Sequence, residues 1–167
     1  MTGAPKDLGG SFPPCGAASF SIRDAALADM EALREVFRRA SLSNENDREP
    51  LLANPQWLAL PETGVRQGRM RAAVDERGAV LGFATHVVTG GVAELEDLFV
   101  DPSQRRRRIG EALVRDISQL VRALGFETIE VTANPHAMDF YEHMGFVAVR
   151  MVDTEFYPGR RMRRPTS

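Results

Sequence analysis

Residues 98–114, "LFVDPSQRRRRIGEALV", run from an apolar segment through a Val-Asp-Pro turn and four consecutive arginines into an amphipathic pattern. The order is that of strand, turn and helix. Ile109, Ala112, Leu113, Ile117, Leu120, Val121 and Leu124 recur at i, i+3, i+4 and i+7, which gives a helix one apolar face. Gly125 marks its end. A strand followed by a helix-length crossover returns the chain in the same direction, so a parallel strand pair is expected around this segment.

Working outward toward the C-terminus, "ETIEVTA" (127–133) has the pattern of a strand. "PHAMDFYEHM" (135–144) reads as a short helix that Pro135 starts and Gly145 stops, and "FVAVRMV" (146–152) as a further strand. The last residues offer a Pro158-Gly159 turn and a final edge strand. Upstream, "VAELEDLFV" (92–100), "AVLGFATHVV" (79–88) and "MRAAVDE" (70–76) form an antiparallel meander, with "ERG" as the hairpin connection. Phe20 and Ile22 share one face of a first strand, and Leu27, Met30, Leu33, Val36 and Phe37 mark a first helix after Asp24. Residues 41–54 carry weaker signals, and Pro50 and Pro55 should interrupt any helix there. The pattern predicts a mixed α/β (α+β) fold, a meander followed by β-α-β-α-β with a central parallel pair. It forms one domain over residues 19–167 behind a flexible tail of residues 1–18, which Pro and Gly break repeatedly.

The 167 residues carry a formal net charge of -2, so any basic patch is local and whole-chain attraction to nucleic acid or an anionic membrane is not expected. Cys15 is the only cysteine, which excludes an internal disulfide and a thiolate metal cluster. His86, His136 and His143 lack further ligands at metal-binding spacing, and no metal is expected. With no membrane-length apolar run and no signal-peptide pattern, a cytoplasmic location is expected.

Free backbone N–H groups at a helix start attract phosphate oxygens. Arg105, Arg106, Arg107 and Arg108 precede such a start, and Gly110 allows close approach. An arginine run alone is more often a solvated surface. This one is wedged between a buried strand and the first turn of a buried helix, at the sheet edge where α/β proteins bind ligands, so a diphosphate cradle is the better reading.

These residues resemble the GNAT acetyltransferase superfamily. Its acetyl-CoA signature runs Gln/Arg, two variable residues, Gly, one variable residue, Gly/Ala, and "RRRRIG" is similar to it from Arg105 to Gly110, with Arg108 standing where the first glycine is usual. A second block, "NPHAMDFYEHMGF", matches at Asn134, Ala137, Phe140, Tyr141, Gly145 and Phe146. The resemblance implies transfer of acetyl from acetyl-CoA to an amine acceptor, small molecule or protein, by direct attack in a ternary complex.

The resemblance also implies roles. Leu98, Phe99 and Val100 would hold the pantetheine arm and thioester through their backbone. Arg105, Arg106, Arg107, Arg108, Ile109, Gly110 and Glu111 would surround the diphosphate, with Asn134, Phe140 and Tyr141 as further cofactor contacts. Tyr141 would be the general acid, although an aromatic at this helix spacing is otherwise an ordinary core residue. Glu94 and Glu96, two apart on one strand face, are the candidate bases, against the plain alternative of a solvated acidic edge. Trp57 is a candidate for the acceptor wall. Two other readings stay open: a CoA-binding sensor without catalysis, prompted by Arg108, and a nucleic-acid binder using the arginine run. Neither nucleic acid nor membrane is the expected partner. Many such relatives form homodimers, so that state stays open.

Overall fold

The computed structural model describes residues 19–155 and 157–167. The tail expected over residues 1–18, with Cys15, lies outside the described residues. Seven strands form one sheet in the order β1-β2-β3-β4-β5-β7-β6. They are β1 (Phe20–Asp24), β2 (Met70–Asp75), β3 (Val80–Thr89), β4 (Val92–Val100), β5 (Thr128–Ala133), β6 (Val147–Asp153) and β7 (Pro158–Pro165). Only β4 and β5 run parallel; every other neighbouring pair is antiparallel. The expected meander and central parallel pair are both present.

Helices cover both faces. On one, α1 (Met30–Leu42) buries Met30, Leu33 and Val36 against Ala72, Val74 and Phe83, with Val65 of the short α3 (Thr63–Arg66) beside them. On the other, α4 (Ile109–Ala123) buries Leu113, Val114, Ile117 and Val121 against Ala84, Leu95 and Ile129. α5 (Met138–His143) adds Tyr141 to that layer. Each fully buried aliphatic side chain contributes about 1.5–3 kcal/mol, so the α4 stripe is a principal source of stability. Arg71 ties the layers together, bonding Asp116 of α4 at 2.7 Å and Asp24 of β1 at 2.6 Å.

Four local expectations change. Leu27 belongs to a separate 3-10 turn, Leu27–Asp29, and is exposed, because Asp29 Oδ2 accepts the Ala26 N–H and Arg23 and restarts the chain as α1. Pro50 lies inside a continuous α2 (Glu45–Ala53), where a missing N–H removes one intrahelical bond from an exposed helix without breaking it. The segment after Pro135 is a turn, and α5 starts only at Met138. Pro158 opens β7, and β7 is an interior strand between β5 and β6, leaving β6 at the edge.

Gly82 of β3 lies opposite Val100. A Cβ there would sit 2.8 Å from the Phe99 carbonyl oxygen and 3.2 Å from Val100 Cα, both backbone atoms. Gly82→Ala is therefore expected to push β4 away and cost about 1–3 kcal/mol, read as a lower midpoint in urea unfolding. An unchanged midpoint would mean that β3 and β4 separate freely here.

Candidate active site

The register of β3 on β4 breaks between Thr85 and His86. Thr85 faces Asp97 and His86 faces Leu95, so Glu96 is an extra residue in β4. Such a bulge bends the strand and interrupts its ladder. Arg69 clamps it, bonding the His86 carbonyl at 2.8 Å and Glu96 Oε2 at 3.0 Å, while the His86 N–H bonds the Arg69 carbonyl at 3.1 Å. The parallel pairing of β4 with β5 ends at Leu95↔Val131. Beyond it, the β5-facing backbone edge of Leu98, Phe99 and Val100 is open to an extended ligand.

After β4 the chain makes a 3-10 turn, Pro102–Gln104, in which Asp101 Oδ1 accepts the Ser103 N–H at 2.9 Å and its hydroxyl at 2.8 Å. Arg39 of α1 bonds Asp101 Oδ2 at 3.0 Å. Burial raises the Asp101 carboxyl, but the Ser103 and Arg39 bonds outweigh it and leave it below the usual value. Arg106 (φ 65) and Arg108 (φ 59) are left-handed. Left-handed residues alternating along a turn bring successive N–H groups into a concavity that suits an anion. Each costs about 1–2 kcal/mol at a non-glycine residue. Ala112 N–H closes on the Arg108 carbonyl at 3.1 Å, and the amides just before it, at Ile109, Gly110 and Glu111, belong to the helix start that anions favour.

The side chains of this loop point several ways. Arg105 reaches Ser43 Oγ at 2.7 Å, Arg107 bonds Gln104, and Arg108 bonds Glu111 Oε2 at 2.9 Å. Glu111 is held below the usual carboxylate value, first by Arg108, with Arg115 and His143 adding to it. Arg108 thus keeps the turn that a glycine would make and turns its guanidinium onto α4. A Cβ on Gly110 would lie 3.4 Å from Phe140, an ordinary contact distance, so the start of α4 packs closely on α5 with room for a methyl group.

Tyr141 is buried, with its ring 5.2 Å from that of Phe140 and 5.4 Å from that of Phe146. Burial above all, then Tyr157 and Asp97, raise its phenol well above the ordinary range. Asn134 Oδ1 accepts the Ala137 N–H at 2.8 Å, and its side chain also meets the Tyr157 phenol.

The carboxylates of β4 diverge. Glu94 is ion-paired to Arg161 of β7 and accepts the Thr132 hydroxyl at 3.3 Å. Glu96 is tied to Arg69 on the other side. The structure does not bring these two together. Asp97, which spacing did not single out, shares a strand face with Phe99. Its carboxyl is pushed up to about 6 by burial first and by Glu96 next, while Thr85 and Arg69 oppose the rise.

Phe99 opens onto a cleft of about 1000 Å³ between α1, α2, the β5–α5 turn and the β6–β7 turn. Phe37, Trp57 and Tyr157 add aromatic walls, and Arg105 and Asn134 lie on the same cleft. Trp57, the sequence's candidate for an acceptor wall, lines this cleft. Tyr157, missed in the sequence, lies in a turn without a pattern of its own. Among the described residues, no helix is long and apolar enough to cross a membrane.

Residues 30–146 match the acetyltransferase (GNAT) family. An uncharacterised N-acetyltransferase of Schizosaccharomyces pombe is 32% identical over 131 residues, 75% of this chain and 76% of that protein. A rice (Oryza sativa subsp. japonica) glucosamine 6-phosphate N-acetyltransferase is 30% identical over 139 residues, 77% of this chain and 82% of its own length. A Trypanosoma brucei brucei enzyme of the same name is 32% identical over 78 residues, 42% of this chain, and the match spans about half of that protein (53%). The PaiA N-acetyltransferase of Thermoplasma acidophilum in complex with coenzyme A superposes with a TM-score of 0.67 over 88% of this chain and 99% of its own, at 19% identity. That last likeness is one of fold.

The left-handed Arg108 generates a test. Arg108→Gly removes the backbone strain and Arg108→Ala keeps it, so the glycine variant is expected to be about 1 kcal/mol more stable than the alanine variant. Thermal unfolding of the two side by side checks this; equal stability would mean that the turn relaxes.

Proposed function

The chain belongs to the acetyltransferase (GNAT) family, and from that premise we propose that it transfers acetyl from acetyl-CoA to a primary amine by direct attack in a ternary complex. The observation that carries the proposal is the opened edge of β4, beside a helix start preceded by two left-handed residues. An extended amide-bearing arm fits the first, and a diphosphate fits the second. Bound acetyl-CoA supplies an activated acetyl carbonyl and a sulfur leaving group.

The chain's own groups do the rest. The backbone of Leu98, Phe99 and Val100 binds the arm in strand fashion. The amides from Arg106 to Gly110 hold the diphosphate, with Arg105 and Arg107 adding charge from the side. Asn134 and Phe140 close the opposite wall. Tyr141, whose burial keeps the proton on its oxygen at physiological pH, donates it to the departing sulfur. An acceptor ammonium must first lose a proton. Glu94 and Glu96 are candidates by sequence, but each is engaged by an arginine. Asp97 holds its proton up to about pH 6 and above that accepts one, at the base of the bulge and within electrostatic reach of Tyr141.

Calorimetry with acetyl-CoA and desulfo-CoA, followed by thiol release on a panel of amines, tests the function. Binding that needs the pantetheine arm, with thiol release on amine addition, is expected. No binding would overturn the proposal. Tyr141→Phe is expected to lower kcat by about 10²-fold with acetyl-CoA affinity held within about twofold. Equal losses in kcat and affinity would make Tyr141 a packing residue.

Asp97 adds a pH signature. Its folded value lies above the ordinary 3.8, so the protonated form is the one that the fold favours. That stabilisation is complete below about pH 4 and is lost as pH rises through about 6. Asp97→Asn should therefore gain stability relative to the parent above pH 6. It should also lose the rise in kcat/KM through pH 6 that a carboxylate base gives. A variant that keeps this rise would remove Asp97 from the proton path.

A further inference from the structure

The cleft has a net negative lining among the described residues. Glu45 and Asp47 of α2 line it, as does Glu155 of the β6–β7 turn, while the only guanidinium on the cleft among the described residues, Arg105, is bonded to Ser43. Glu45 and Asp47 stand in the first turn of α2, where carboxylates also complement the helix dipole. Glu155 belongs to no helix, yet it opens onto the same space from the opposite side. Asp47 acts electrostatically on Tyr157 across the cleft, so the two walls lie close. The aromatic faces of Phe37, Trp57, Phe99 and Tyr157 complete a setting in which a cation is favoured twice, by charge and by the ring quadrupoles.

Resting on the acetyl-transfer reading, we infer that the acceptor is a small amine with at least one further positive charge, carried on an aliphatic spacer. The second ammonium lies against Asp47 and Glu155 between the aromatic walls, and the spacer lets the reacting amine reach the β4 edge at Phe99. A phosphorylated amino sugar, the acceptor in the names of two relatives, would place a dianion among three carboxylates. Like charges at about 4 Å repel by about 1–4 kcal/mol each at surface dielectrics, and Arg105 alone does not offset that. The cleft volume of about 1000 Å³ is ample for a triamine.

The experiment measures kcat/KM of the full chain with acetyl-CoA for spermidine, 1,4-diaminobutane, n-butylamine and glucosamine 6-phosphate. Acetyl-CoA binding is followed by calorimetry on the same preparations. The polycations are expected to exceed n-butylamine by about tenfold or more, with a lead that shrinks as salt rises. Asp47→Asn and Glu155→Gln should lower the rate with spermidine more than the rate with n-butylamine, and should leave acetyl-CoA affinity within about twofold. A monoamine or the sugar phosphate matching the polycations would overturn the inference. So would carboxamide variants that slow every amine alike. A chain that binds acetyl-CoA and acetylates only uncharged-tail amines sinks this inference alone, whereas a chain that does not bind acetyl-CoA sinks the acetyl-transfer reading with it.

Discussion

The site depends on the clamp that Arg69 places on β4. One guanidinium bonds the His86 carbonyl and the Glu96 carboxylate, holding an extra residue where the β3 ladder has no partner for it. Strand faces alternate with a period of two, so one inserted residue exchanges the faces beyond it. Before the bulge, Ala93 and Leu95 join the α4 core; after it, Leu98 and Val100 do so, while Phe99 packs toward α1. Without the insertion β4 could follow β5 along its whole length. With it, the two part after Leu95↔Val131, and an edge that would be spent on sheet pairing becomes available for a ligand.

That opened edge leads into the left-handed arginines, and the α1 side of the cleft is fastened to the same loop. Arg39 of α1 bonds Asp101 at the loop's entry, and Arg105 within it bonds Ser43 just after α1. The α1 side of the cleft is thereby fixed relative to the arginine loop by two contacts that bypass the sheet. Phe37 against Phe99, ring centroids 4.8 Å apart and edge-on, seals the same junction from within.

Most of the fold could be read in the sequence because it rests on periodicity. The α4 stripe, the meander and the strand after Gly125 are all repeats of 3.6 or 2. The position of β7 could not be read that way, because "PGRRMRRP" has only Met162 as a deeply buried apolar residue, and its place between β5 and β6 depends on pairings with distant strands. The turn and helix start at the arginines were legible because their signals are local. The carboxylates were not. In "ELEDLFV" nothing distinguishes a bulged strand from a straight one, so spacing pointed to Glu94 and Glu96, while burial, which singles out Asp97, exists only once β3 and α3 have packed.

The last strands explain what Glu94 does in this packing. Beyond the reach of α1, the cleft-side face of β4, β5 and β7 carries ions in place of an apolar core. Glu94 meets Arg161, Arg161 lies 2.9 Å from Glu130 and bonds Thr132 at 2.9 Å, and Arg163 reaches Glu130 at 2.5 Å. Glu130 is buried. Removing one member of such a chain strands the charge of another, at the greatest cost where Glu130 is buried. A proton acceptor must instead be able to change charge without dismantling the fold. Asp97 stands outside that chain: burial raises its carboxyl to about 6, so it changes charge near neutral pH, and its ionised form carries the stability cost that the raised value implies. The same strand thus carries acid side chains in two settings, Glu94 in a chain of ions that joins β4, β5 and β7, and Asp97 buried beside the opened edge.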